Sequence, residues 1–123
     1  MPKVLIVDDE KHIRLLYSEE LEEEGYSVAV ASDGRGILER IENEKPDVVL
    51  LDIKMVESNG LDVLQDIRNK YYNLPVILCS AYGSYKVDIK SIAADAYVVK
   101  SSDLTELKKK IAQVLEANVP QQK

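Results

Sequence analysis

Val4-Leu5-Ile6-Val7-Asp8-Asp9-Glu10 decides the fold. Four consecutive β-favouring apolar residues make a strand covered on both faces, because a half-exposed strand would alternate apolar with polar. The run stops on acids, and the period then changes. Ile13, Leu16, Tyr17 and Leu21 recur at helical spacing, and Gly25 reads as the helix stop. This strand-then-helix unit repeats. Ser27 to Ala31 is a second, weaker strand, and Asp33 is the expected N-cap of a helix carrying Ile37, Leu38 and Ile41. Val48-Val49-Leu50-Leu51 is a third strand, followed by a polar loop to Gly60 and a helix with Leu61, Val63, Leu64 and Ile67. Val76-Ile77-Leu78-Cys79 follows Pro75 as a fourth strand, and residues 85–94 read as a short helix with Ile89 and Ile92 inward. Tyr97-Val98-Val99 is the fifth strand, and Leu104, Leu107, Ile111 and Val114 mark the last helix, opened by Asp103 and Glu106 as a capping-box variant.

Five βα units with strands apolar throughout predict an α/β fold: a parallel sheet with helices on both faces. Right-handed crossovers close it into a flavodoxin-like three-layer sandwich, with strand order 2-1-3-4-5. Its 123 residues are one domain's worth. Sixteen bases against 22 acids give a net charge of −6, which argues against direct nucleic-acid binding. One cysteine excludes an internal disulfide framework, and apolar runs of about five residues are too short to span a membrane or form a signal peptide. A cytoplasmic location is expected.

The polar residues at the strand ends carry the chemistry. The first strand ends in Asp8-Asp9, the third in Asp52, the fourth in Ser80 and the fifth in Lys100. In a parallel sheet all these ends lie on one edge, where open α/β sheets bind ligands. Three carboxylates together repel unless a cation joins them, and hard oxygens suit Mg²⁺, with Mn²⁺ as its substitute. Lys100 adds an opposing point charge, and the Ser80 hydroxyl a donor. The set fits phosphoryl transfer, in which a carboxylate can itself be the acceptor. His12 reads as a solvent-side helix residue, Cys79 as a buried core thiol, and Glu22-Glu23-Glu24 and Lys108-Lys109-Lys110 as solvated faces.

These segments resemble the receiver domain of two-component response regulators, the family of the chemotaxis and sporulation regulators. The resemblance lies in Val4–Glu10, in Asp47–Met55 with Gly60 eight residues past Asp52, in Pro75–Gly83 and in Tyr97–Lys100. It covers residues 3–117, and implies a receiver domain over 1–118 with 119–123 as a tail or truncated linker. It implies that Asp52 is the phosphoacceptor and that Asp8, Asp9, Asp52 and the Lys54 backbone carbonyl hold the metal. Ser80 would be the switch hydroxyl, Lys100 the lysine on the phosphoryl group and Tyr97 the aromatic switch. Lys54, Ala81 and Tyr82 would tune access and dephosphorylation. Ser101 follows Lys100, and Val56 follows Met55, where the family usually has proline, and the stretch from Ser80 to Lys100 is about two residues short. Those departures touch the output face.

The implied function is a signalling switch. A histidine kinase or phosphotransfer protein would phosphorylate Asp52, altering a surface around the fourth helix, fifth strand and fifth helix that a downstream protein effector reads. A homodimer formed on phosphorylation is a further expectation, and no enzymatic turnover beyond self-phosphorylation and autodephosphorylation is expected. A phosphatase with an aspartyl-phosphate intermediate is the alternative, although its Asp-x-Asp pattern would need an acid of the other kind where Glu10 stands. A phosphate-independent interaction module and a flavin binder are the other uses of such a fold. The first would have no need of the full acid, hydroxyl and lysine set, and the second wants a Ser/Thr/Gly phosphate loop after the first strand. The chain reads either as a stand-alone receiver or as one excised from a longer regulator.

Overall fold

The computed structural model describes residues 2–53, 55, 59–80, 94–100 and 103–117. Its elements run β1 (Lys3–Val7), α1 (Lys11–Glu23), β2 (Ser27–Ala31), α2 (Ile37–Glu44), β3 (Val48–Asp52), α3 (Gly60–Lys70), β4 (Val76–Ser80), β5 (Ala96–Val99) and α4 (Thr105–Ala117). The strands form one parallel sheet in the order β2-β1-β3-β4-β5. Residues 85–93 of the helix expected at 85–94, the departures at Val56 and Ser101, and the tail at 119–123 lie outside the described residues; Ala94 is described and is not helical.

Alternate residues of the central strands face opposite ways and build two cores. Val4, Ile6, Val48, Leu50, Ile77, Cys79 and Val98 pack against Tyr17 and Leu21 of α1 and against Leu107, Ile111 and Val114 of α4. Leu5, Val7, Val49, Leu51, Val76 and Leu78 pack against Ile37 and Ile41 of α2 and against Val63, Leu64 and Ile67 of α3. The three layers follow: β1, β3 and β4 are almost wholly buried because helices cover both sides, whereas β2 and β5, at the edges, are partly open. Each fully buried aliphatic side chain contributes about 1.5–3 kcal/mol, so the sheet is the main source of stability.

Helix ends show where local chemistry overrides pattern. Gly25 ends α1 as expected, at φ +98°. Its N–H donates to Glu22 O, and the Tyr26 N–H reaches back to Leu21 O, the paired bonds that let a glycine in the left-handed region close a helix. The start of α2 departs from expectation. Asp33 does not cap it: its carboxylate accepts from the Arg35 backbone N–H at 2.8 Å and pairs with the Arg35 guanidinium at 2.9 Å. Asp33 thereby closes a turn of its own, its carboxyl held below the usual range by the Arg35 bonds. Gly36, at φ +70°, then redirects the chain into Ile37. The Asp103 carboxylate accepts from the Thr105 N–H at 3.0 Å and so supports the start of α4.

The two charged runs also divide. Glu22, Glu23 and Glu24 are exposed, but Lys108 is half-buried and bridges Glu20 at 2.9 Å and Glu24 at 3.4 Å. That lysine ties α4 to α1 rather than facing open solvent. His12 is exposed and Cys79 buried, both as expected.

Candidate functional site

Parallel register brings the strand ends together. Val7 pairs with Leu51, so the next residues along, Asp8 and Asp52, stand side by side where β1 and β3 end. This is also where the strand order reverses, since β2 lies on the far side of β1. Asp52 pairs with Cys79, and Ser80 with Val99, which carries Ser80 and Lys100 to the same edge. The Lys100 N–H donates to Ser80 O at 2.7 Å and fixes that corner.

Asp8, Asp52 and Ser80 are the buried polar residues among those described. The Lys100 side chain, 11% exposed, reaches across the sheet edge to the two acids. Its ammonium lies 2.8 Å from Asp8 Oδ2, 3.2 Å from Asp52 Oδ2 and 3.4 Å from Glu10 Oε1. Burial opposes the ammonium's charge. The hydrogen bond and Coulomb attraction of Asp8, followed by those of Asp52, outweigh that cost and raise its pKa above the ordinary lysine value. Lys100 is therefore a fixed cation at neutral pH. Cys79, one residue from Ser80, is pushed up to about 12, first by burial, with Asp8 and Asp52 adding to the shift and Lys100 opposing it.

The backbone around the acids is locked. Asp8 Oδ1 accepts the Glu10 N–H at 2.9 Å, a turn that launches α1, and Arg14 Nη1 donates to Asp8 O at 2.7 Å. On the β3 side, Ile53 N–H donates to Cys79 O and Gly60 N–H to Ile53 O. Gly60 lies so close that a Cβ there would stand 2.2 Å from Asp52 O and 2.6 Å from Ile53 Cα. A glycine is thus required by close approach, and the start of α3 seats the Asp52 backbone. Asn59 caps that helix through Oδ1, accepting the Leu61 N–H at 2.8 Å.

One carboxylate oxygen from each of Asp8, Asp9 and Asp52 falls within 4.8 Å of the others. Oxygens across an octahedral Mg²⁺ stand about 4.2 Å apart, twice the metal–oxygen distance, so small adjustments suffice. The all-oxygen donor set, with one ammonium shared among its acids, fits a hard divalent cation. Of the other residues singled out in the sequence, Tyr97 lies in β5, half-buried against the α2–α3 core. Lys54, Ala81 and Tyr82 are outside the described residues. Glu10 and Asn59 were not among the sequence candidates. An N-cap asparagine before an apolar helix is readable in principle. The reach of Glu10 to Lys100 is not, because 90 residues separate the two.

Fold and site together define a doubly wound α/β module with an acidic pocket and a lysine at its topological switch point. The chain belongs to the response regulator receiver domain family, whose model matches residues 4–112. Among curated relatives, a probable transcriptional regulator ycf27 of Guillardia theta is 43% identical over 115 residues, covering 92% of this chain and 45% of that protein. The regulatory protein AtoC of Escherichia coli K12 is 36% identical over 107 residues, covering 85% of this chain and 23% of AtoC. The chain thus spans less than half the length of these relatives. Among solved structures, the response regulator TrrA of Thermotoga maritima, in complex with Mg²⁺-BeF, is 44% identical with a TM-score of 0.87, covering 93% of this chain and 99% of that one. A second TrrA structure, in complex with the histidine kinase ThkA, has a TM-score of 0.85 at 44% identity and covers 94% of this chain and 99% of that one. No helix among the described residues is long and apolar enough to cross a membrane.

Proposed function

We propose that this domain is a phosphorylation switch that takes a phosphoryl group from a histidine kinase or phosphotransfer protein onto Asp52. The supporting observation is the Lys100 ammonium set between Asp8 and Asp52, two buried carboxylates. An Asp52 carboxylate oxygen attacks phosphorus, the phosphorus–nitrogen bond of the donor phosphohistidine breaks, and its electron pair returns to the imidazole, which takes up a proton. Lys100 and the Ser80 hydroxyl meet the phosphoryl oxygens. Positioning and charge neutralisation account for the rate, as in other phosphoryl transfers.

Asp8, Asp9, Asp52 and the Lys54 backbone carbonyl would hold Mg²⁺ or Mn²⁺. Bound there, the cation screens the acids from the incoming phosphoryl oxygens. Attack of water on phosphorus returns the Asp52 carboxylate and inorganic phosphate, with Lys54, Ala81 and Tyr82 tuning water's access. The domain therefore catalyses changes in its own state rather than turnover of a substrate. The Mg²⁺-BeF complex of TrrA and its complex with ThkA support both the cation and the kinase.

Output follows from a two-state surface. Drawing Ser80 toward the phosphoryl group frees space that the Tyr97 ring fills. The surface around residues 85–94, β5 and α4 changes with it, and a protein effector, or a second phosphorylated copy, reads the change. The test is incubation with phosphoramidate or acetyl phosphate and Mg²⁺, followed by intact mass. One phosphoryl group should add to the wild type, none after EDTA treatment and none to Asp52→Ala. An unmodified wild type, or an equally modified Asp52→Ala, overturns the reading.

A further inference from the structure

Lys100 is shared by three carboxylates, and the roles above use only two of them. Asp8 and Asp52, at 2.8 and 3.2 Å from the ammonium, are 4% and 3% exposed. Glu10 Oε1, at 3.4 Å, belongs to a side chain that is 51% exposed, at the rim of the pocket. Its backbone is pinned: its N–H donates to Asp8 Oδ1, and its carbonyl accepts the Arg14 N–H at 3.1 Å. Glu10 occupies the N-cap position of α1, yet its side chain makes no capping hydrogen bond. It turns to Lys100 instead of to its own helix.

The ammonium and a divalent cation draw on the same carboxylates, those of Asp8 and Asp52. With Asp8 and Asp52 engaged by a cation, Lys100 loses its two nearest partners and is repelled by the added charge. Among the described residues, the remaining carboxylate paired with the ammonium is that of Glu10. From this geometry we infer that Glu10 is a positioning residue. It keeps the Lys100 ammonium at the mouth of the pocket once the cation is in place, so that the cation enters without expelling the lysine into solvent. The inference rests on the metal and phosphoacceptor roles given above, and it adds a fourth acid that acts through Lys100.

The test is Mg²⁺ affinity, measured by ¹⁵N NMR titration of the unphosphorylated domain. Glu10→Gln keeps the shape and removes the charge. It should weaken Mg²⁺ binding about three- to fivefold, the upper end of what a partly exposed ion pair supplies, because Lys100 itself is largely buried. In a Lys100→Met background the same substitution should change affinity by less than about 1.6-fold, the scatter of independent sites. Equal losses in both backgrounds would mean that Glu10 acts on the cation directly, and no loss in either would make it an ordinary surface acid; each overturns the inference. Should Lys100→Met fail to fold, the side-chain ammonium resonance of Lys100 at saturating Mg²⁺ decides. It should be ordered in the wild type and lost in Glu10→Gln, and its persistence in the variant overturns the inference. A wild type that binds no Mg²⁺ removes the metal site itself, and the inference with it. A wild type that binds normally while Glu10→Gln is silent removes only the role of Glu10.

Discussion

Gly60→Ala isolates the seating of Asp52 at the end of β3. The added Cβ would sit 2.2 Å from Asp52 O, 2.6 Å from Ile53 Cα and 2.9 Å from Asp52 C. All three are backbone atoms, so no side chain can rotate out of the way. Relief requires about 1 Å of movement between α3 and the end of β3, and overpacking of this kind costs about 1–3 kcal/mol. Alanine's better helix propensity offsets less than about 1 kcal/mol of that, since Gly60 opens the helix. The net loss of about 1–2 kcal/mol should lower Tm by about 3–10 °C for a domain of this size. The movement falls on Asp52, the proposed phosphoacceptor, so phosphorylation by phosphoramidate should slow about 10- to 100-fold. Gly25→Ala is the control. Its strain comes from φ +98°, nothing lies within 4 Å of its Cβ, and it stands at the opposite end of the sheet from the acids. It should lower Tm and leave the phosphorylation rate unchanged. If Gly60→Ala melts within about 1 °C of the wild type and phosphorylates normally, the close approach does not position Asp52.

Three further outcomes are expected. Lys100 has a raised pKa, so its contribution to stability is complete below the unfolded-state value of 10.5 and fades as pH rises beyond it. The urea-stability difference between wild type and Lys100→Met should therefore hold constant from about pH 7 to 9, and its decay in that window would contradict the ion-pair geometry. Cys79, with its thiol near 12, should have roughly one thiolate in ten thousand at pH 8; native protein should resist iodoacetamide and react on addition of guanidinium, as followed by intact mass. Arg68 donates to Leu74 O at 2.5 Å and to Asp95 Oδ2 at 2.8 Å, and that same Oδ2 accepts the Val76 N–H, so Arg68→Ala should cost about 1–3 kcal/mol in urea denaturation. Lys70→Ala, which breaks an exposed pair with Glu42, should cost less than about 1 kcal/mol, and equal losses would deny Arg68 its role at the β4–β5 corner.

The sheet was legible because β1, β3 and β4 are continuous apolar runs, and the acids and lysine could be placed because parallel strands share one C-terminal edge. Reading faltered where one residue had two local uses. Asp33 has the composition of a helix cap, yet Arg35 two residues on offers both a backbone N–H and a guanidinium, and the tight turn won. Lys108 looked like one of three solvated lysines; its position on α4 facing Glu20 of α1 and Glu24 just past that helix depends on helix packing that period alone does not set. Glu10 was hidden for the same reason. It follows two acids in sequence, and its partner arrives from the far edge of the sheet. Gly60 carried a signal only as a glycine at a fixed distance from Asp52; its purpose became visible with the atoms it touches.

The Lys100 bridge to Asp8 and Asp52 joins the last strand of the sheet to the first and the third. No fragment of the chain shorter than the span from β1 to β5 can assemble it, and a ribosome must have released most of the domain before the lysine meets its acids. Peeling β5 from the sheet edge would withdraw Lys100 while leaving Asp8, Asp9 and Asp52 together. A partly opened molecule of that kind would keep its three clustered carboxylates but lack the ammonium that two of them share. The acid–lysine bridge thus reports on the joining of β5 to β1 and β3, and a damaged or unfinished copy lacks it by its own topology.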